Sequence, residues 1–158
     1  MKIQINYNAN DLFEAQKLYF FSSRNKYFYL FLGILLIGEA LFFRIHILIG
    51  MFLLLFGFFI LTYPIIFLRF YASLQFKKSP AFRPTITFEV NENFVRIDSS
   101  LQTGESKWDC YIQSRSNERM LILFAGHKIF QLIPKRVMSD EEWIELLKLV
   151  KSKIADSK

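Results

Sequence analysis

Leu35–Leu53 reads LLIGEALFFRIHILIGMFL, and Glu39, Arg44 and His46 are the ionisable side chains within it. Two apolar runs meet here. Tyr27–Phe43 is YFYLFLGILLIGEALFF, and Ile45–Leu68 is IHILIGMFLLLFGFFILTYPIIFL. A helix that crosses a bilayer needs about 20 mostly apolar residues. The second run exceeds that length. The first approaches it, and Phe20 and Phe21 extend it. Little more than Arg44 separates the two, so the stretch reads as the tip of a helical hairpin, and both chain ends then lie on one side. A cleaved signal peptide is not expected, because the start of the chain is polar and a second apolar run follows at once.

The charges around the hairpin set its orientation. The net charge is +6. Lys17, Arg24 and Lys26 precede the apolar runs, and Arg69, Lys77, Lys78 and Arg83 follow them, whereas the tip offers Arg44 and His46. The positive-inside rule places the larger basic group, and with it both termini, in the cytoplasm. No basic groove or recognition motif points to nucleic acid. One cysteine, Cys110, excludes an intramolecular disulfide framework and any multi-cysteine metal site. Its simplest role is that of a small buried residue.

Outside the hairpin the pattern is that of a folded domain. Ile3, Ile5 and Tyr7 alternate with polar residues at strand spacing. Asn10 or Asp11 can cap a helix carrying Leu12, Phe13, Gln16, Leu18 and Phe20, which leads into the membrane. After the hairpin, FLRFYASLQFKKSPAF reads as a helical continuation that mixes aromatic rings with cations, a juxtamembrane basic helix (69–83) stopped by Pro80 and Pro84. From Thr85 the period becomes two. ITFEV, an Asn91–Asn93 turn and FVRID are followed by strand-like stretches at ESKWDCYIQSRS, RMLILFA and HKIFQLIP. The last segment, SDEEWIELLKLVKSKI, opens with a Ser139/Glu142 capping box. It places Trp143, Leu146, Leu147, Val150 and Ile154 on one helical face. An antiparallel sheet plugged by this helix is the expected domain.

These features resemble the YcxB-like family of small bacterial membrane proteins, and more broadly the bacterial pleckstrin-homology-like domains. The likeness is carried by ITFEVNENFVRI, by the tryptophan strand SKWDCYIQ and by FQLIPKRVMSDEEWIELLKLVKSKI. It implies an α+β membrane protein: a two-helix transmembrane hairpin inserted after the first strand of a pleckstrin-homology-like antiparallel barrel, capped by the C-terminal helix. The expected parts are an N-terminal strand and amphipathic helix (1–26), the hairpin (27–68), the juxtamembrane helix (69–83) and a cytoplasmic domain (84–158). The expected location is the bacterial cytoplasmic membrane. The resemblance implies no reaction and no catalytic residues.

Candidate contacts follow from charge and exposure. Arg69, Lys77, Lys78 and Arg83 are placed to meet anionic headgroups. Lys135 and Arg136, between a strand and a helix, are either a solvated turn or a phosphate contact. Trp108 is either a core residue or an exposed anchor for a partner. Glu39 and Arg44 form a candidate polar pair at the tip, and the sharper reading of Glu39 is a proton-linked carboxylate. Nothing points to catalysis, a cofactor or a metal. His46 and His127 fall on opposite sides of the membrane in this topology, and Asp109 and Cys110 project to opposite faces of a strand. The expected function is a non-enzymatic membrane protein whose hairpin anchors a cytoplasmic domain that binds a protein or lipid partner. The alternative is an immunity protein against a membrane-associated antibacterial toxin.

Overall fold

The computed structural model describes residues 1–23, 25–42, 47–126 and 129–155. Helices α1 (Ala9–Ser22), α2 (Asn25–Phe42) and α3 (Ile47–Lys78) are inserted between strands β1 (Lys2–Ile5) and β2 (Ile86–Val90). The inserted helices do not separate the two strands in space. β1 pairs antiparallel with β2, setting Ile3 opposite Phe88 and Ile5 opposite Ile86. β3 (Phe94–Asp98) and β4 (Thr103–Lys107) complete a four-stranded antiparallel sheet in the order β1-β2-β3-β4. A second sheet holds β5 (Gln113–Ser116), β6 (Met120–Phe124) and β7 (Phe130–Pro134). α4 (Asp140–Ala155) closes the chain.

The two sheets are not joined by a ladder among the described residues, so they do not form the closed barrel expected from the sequence. The reason lies at Trp108. The apolar-polar alternation of ESKWDCYIQSRS suggests one strand, but Trp108–Cys110 is a single 3-10 turn that ends β4 and starts the path to β5. The Trp108 indole Nε1 donates to the Asn91 carbonyl at 2.9 Å, and its ring lies 5.8 Å from that of Tyr111. A buried indole needs a partner for its N–H, and the Asn91 carbonyl supplies it at this corner. Cys110, at the end of this turn, is exposed, which corrects the expectation of a buried thiol.

The core lies between the sheets and α4. Ile5, Phe88, Val90 and Val95 contribute from the first sheet, and Leu121, Leu123 and Ile133 from the second. Every residue of β6 is buried. α4 begins as its sequence predicts: Ser139 N–H donates to Glu142 Oε2 at 2.8 Å, and Glu142 N–H donates to Ser139 Oγ at 3.2 Å. Its apolar face, Trp143, Leu146, Val150 and Ile154, is buried, while Ile144 on the other face is 53% exposed.

Tyr7 ties β7 to the segment before α1. It is buried, and its hydroxyl donates to the Leu132 carbonyl. Burial pushes its pKa well above the ordinary phenol value. Below about pH 10 the folded and unfolded chains both keep this proton. Above it the unfolded tyrosine ionises first, so stability falls by up to about 1.4 kcal/mol per pH unit for this group. Tyr7→Phe leaves the Leu132 carbonyl without its donor and should lose about 1–2 kcal/mol at neutral pH. It should also flatten the alkaline decline. Urea unfolding between pH 7 and 11 measures both effects.

The inserted helices have a different character. α2 runs antiparallel along α3: a Cβ on Gly33 would meet Leu61 at 2.6 Å, and one on Gly57 would meet Ile37 at 2.8 Å. Small residues thus let the two helices approach closely. Their remaining faces are apolar and exposed, including Phe28, Phe31, Leu41, Leu48, Leu55, Phe58 and Ile66. Among the described residues α3 is the one helix that by itself is long and apolar enough to cross a membrane. Residues 69–78 are helical, as the sequence leads one to expect. They continue α3 to Lys78 without a break, and Pro80–Phe82 follow as one 3-10 turn. Pro64 lies within α3.

Candidate functional site

α1 positions the site. Its N-cap is Asn8, ahead of both residues expected to cap it, Asn10 and Asp11. Asn8 Oδ1 accepts from Asp11 N–H at 3.0 Å, and Asp11 Oδ2 accepts from Asn8 N–H at 2.9 Å. This reciprocal box takes Asp11 out of the cap position and turns its carboxylate back toward the domain. Leu12, Ala15 and Leu18 are buried. Asp11 is buried as well, at 4% exposure.

The partner of Asp11 is Arg136. Nε donates to Oδ1 at 2.9 Å and Nη2 donates to Oδ2 at 2.6 Å, a bidentate pair. Nη2 also donates to the Asn6 carbonyl. The pairing raises the Arg136 pKa, so the guanidinium stays charged. The residue expected as a solvated turn or phosphate contact is therefore a clamp between the 3-10 turn that follows β7, Lys135–Val137, and α1. Nothing local in the sequence announces this pair, whose members are separated by 125 positions.

Around the clamp lies an open cleft of about 650 Å³ whose charged lining is Asp11, Glu14, Arg69, Glu118, Arg119, Lys135 and Arg136. Three of the sequence candidates, Arg69, Lys135 and Arg136, thus meet at one place. Two of them are committed. Arg136 holds Asp11, and Lys135 Nζ lies 2.6 Å from Asp140 Oδ1. Arg119, which the sequence did not single out, pairs with Glu14 at 3.2 Å. Arg69 is exposed and makes no ion pair among the described residues.

The other candidates lie apart from the cleft. Lys77 and Lys78 are exposed at the end of α3, and Arg83 Nη2 donates to the Lys77 carbonyl at 3.3 Å. Trp108 is 5% exposed and belongs to the core, so it offers no anchor at the surface. Glu39 is exposed on α2 three positions from the end of that helix, and it forms no ion pair among the described residues. Arg44, His46 and His127 lie outside the described residues. No cluster of His, Cys, Asp and Glu among the described residues could hold a metal ion.

The architecture is that of an α+β protein in which a long apolar helix and its antiparallel neighbour are inserted between the first two strands. A family model described as YcxB-like protein matches residues 90–150, from the end of β2 into α4. The chain is therefore similar to the YcxB-like family over that span, in agreement with the resemblance carried by the tryptophan segment and the capped helix. No curated protein and no solved structure matches it.

Proposed function

We propose that the chain is a non-enzymatic protein of the bacterial cytoplasmic membrane, in which α2 and α3 form a two-span hairpin and hold a pleckstrin-homology-like domain on the cytoplasmic side as a binding module. The observation that carries this reading is the exposed apolar surface of α3. The run Ile47–Leu68 contains no Asp, Glu, Lys, Arg or His. At 1.5 Å per residue it is roughly 33 Å long, close to the ~30 Å hydrocarbon thickness of a bilayer.

This geometry ranks the cations. Arg69 is the first charge after the run and falls at the hydrocarbon edge. Lys77 and Lys78 lie about 12–14 Å further along the helix. The headgroup region adds only roughly 5–8 Å per side, so these lysines stand beyond it and act through a screened field. Arg69 is then the direct contact for anionic headgroups. Native mass spectrometry of the protein released from mixed anionic and zwitterionic bilayers tests the ranking. Arg69→Gln should reduce retained anionic lipid about fivefold, in line with a contribution of about 1 kcal/mol per cation near the surface. The double replacement of Lys77 and Lys78 by Gln should reduce it less. Equal retention in all variants would remove Arg69 from this role.

A further inference from the structure

The end of the second sheet at which β6 finishes and β7 begins is apolar and uncovered. Ile129 is 66% exposed, and Phe130, the first residue of β7, is exposed beside it. Ile112 flanks them, also exposed, and its N–H donates to the Phe124 carbonyl at 2.8 Å. Tyr19 of α1 completes the patch. Its exposed ring lies 6.3 Å from that of Phe124, which lies 6.5 Å from that of Phe130. Contiguous apolar surface of this kind marks a contact with a partner or with a membrane.

The place of the patch along α3 identifies what covers it. Tyr19, Phe124 and Phe130 share the wall of one small cavity, of about 340 Å³, with Phe67 and Leu68 of α3. The contacts of Gly33 with Leu61 and of Gly57 with Ile37 set a register that brings the start of α2 level with the same two residues. Leu68 ends the charge-free run. In the membrane reading proposed above, on which this inference rests, the patch therefore lies beside the hydrocarbon edge. Arg115 supplies a polar partner to it. Its guanidinium lies over the Tyr19 ring at 5.2 Å and the Phe124 ring at 5.7 Å, and Nη1 donates to the Tyr19 carbonyl at 3.4 Å. It makes no ion pair among the described residues. Exposed apolar side chains beside a ring-held cation suit a phospholipid interface, where rings sit at headgroup depth and a cation meets phosphate.

We propose that this end of the second sheet dips into the interface of the bilayer that holds α2 and α3, with Ile129 and Phe130 at the acyl boundary and Arg115 on a lipid phosphate. The domain is then fixed to the membrane at a second place and does not swing freely from α3. The test uses the full chain in phosphatidylcholine nanodiscs, in a Cys110→Ser background, with a nitroxide spin label on Ile129→Cys. A label on Leu55→Cys, exposed midway along the charge-free run of α3, reports the anchor separately. Power-saturation electron paramagnetic resonance compares collisions with oxygen, which concentrates among the acyl chains, against those with a water-soluble nickel complex. Both labels should favour oxygen, Leu55→Cys more strongly. A label on Ile129→Cys that favours nickel, while that on Leu55→Cys favours oxygen, overturns the insertion and leaves the anchor intact. Shielding of Ile129→Cys from both reagents would mean that a second copy covers the patch, and overturns the insertion as well. A label on Leu55→Cys that favours nickel would overturn the anchor and this contact together.

Discussion

Arg136→Ala should lower the unfolding free energy of the domain by about 2–3 kcal/mol. Removing one partner of a buried ion pair costs about 3–5 kcal/mol, because the other charge is left without compensation. Asp11 is in that position. It is 4% exposed, accepts two bonds from Arg136 and one from Asn8 N–H, and has no other cation within ion-pair distance among the described residues. The expectation is set below the full range because the Arg136 side chain is 44% exposed and water can reach the gap it leaves. Arg136→Lys restores a charge but not the planar two-bond fork, so it should recover only part of the loss. Replacing both residues by leucine removes the stranded carboxylate and should be milder than Arg136→Ala. Equilibrium urea unfolding followed by tryptophan fluorescence reads all three variants, since Trp108 and Trp143 both lie in the domain. A loss below about 0.5 kcal/mol for Arg136→Ala would mean that the pair is a surface contact of little weight.

Trp143→Ala should have the larger effect, about 3–5 kcal/mol, the usual range for truncating a buried aromatic side chain. Trp143 is 5% exposed on the face of α4 that covers the sheets. Domains of ordinary stability hold about 5–15 kcal/mol in total, so this change would leave a substantial unfolded population. Ile144→Ala provides the control. It lies next in sequence but faces outward, and its effect should stay within about 0.5 kcal/mol. Comparable losses at the two positions would contradict the burial of this face. With Trp143 removed, Trp108 remains as the fluorescence probe.

The parts of the fold that sequence made legible are those with local chemistry. The Ser139/Glu142 box and the apolar face of α4 are written within one helix, and both stand as read. The alternation in ITFEV and FVRID gave their strands, and the unbroken apolar run gave α3. What was not legible depends on partners far along the chain. Trp108 continues a strand pattern, and only the Asn91 carbonyl and Tyr111 make it a corner. Asp11 looks like a cap until Asn8 takes that place and Arg136 claims the carboxylate. The candidate site was half visible for the same reason. Composition marks Lys135 and Arg136 as cations after a strand, yet Asp140 and Asp11 occupy them, whereas Arg69 remains without an ion-pair partner among the described residues. The helical continuation past Leu68 was legible as well, and α3 runs on to Lys78.

The central claim is that the hairpin anchors the α+β domain on the cytoplasmic face. Cys110 is the single cysteine of the chain and is exposed on that domain, so it reports sidedness without substitution. The decisive measurement is labelling by a membrane-impermeant maleimide in intact cells and in inverted membrane vesicles, paired with Leu48→Cys in a Cys110→Ser background. Leu48 is exposed near the start of α3, at the far end of the proposed span. Cys110 is predicted to label only in inverted vesicles and Leu48→Cys only in intact cells. Labelling of both positions from one face, or of Cys110 in intact cells, would contradict the account.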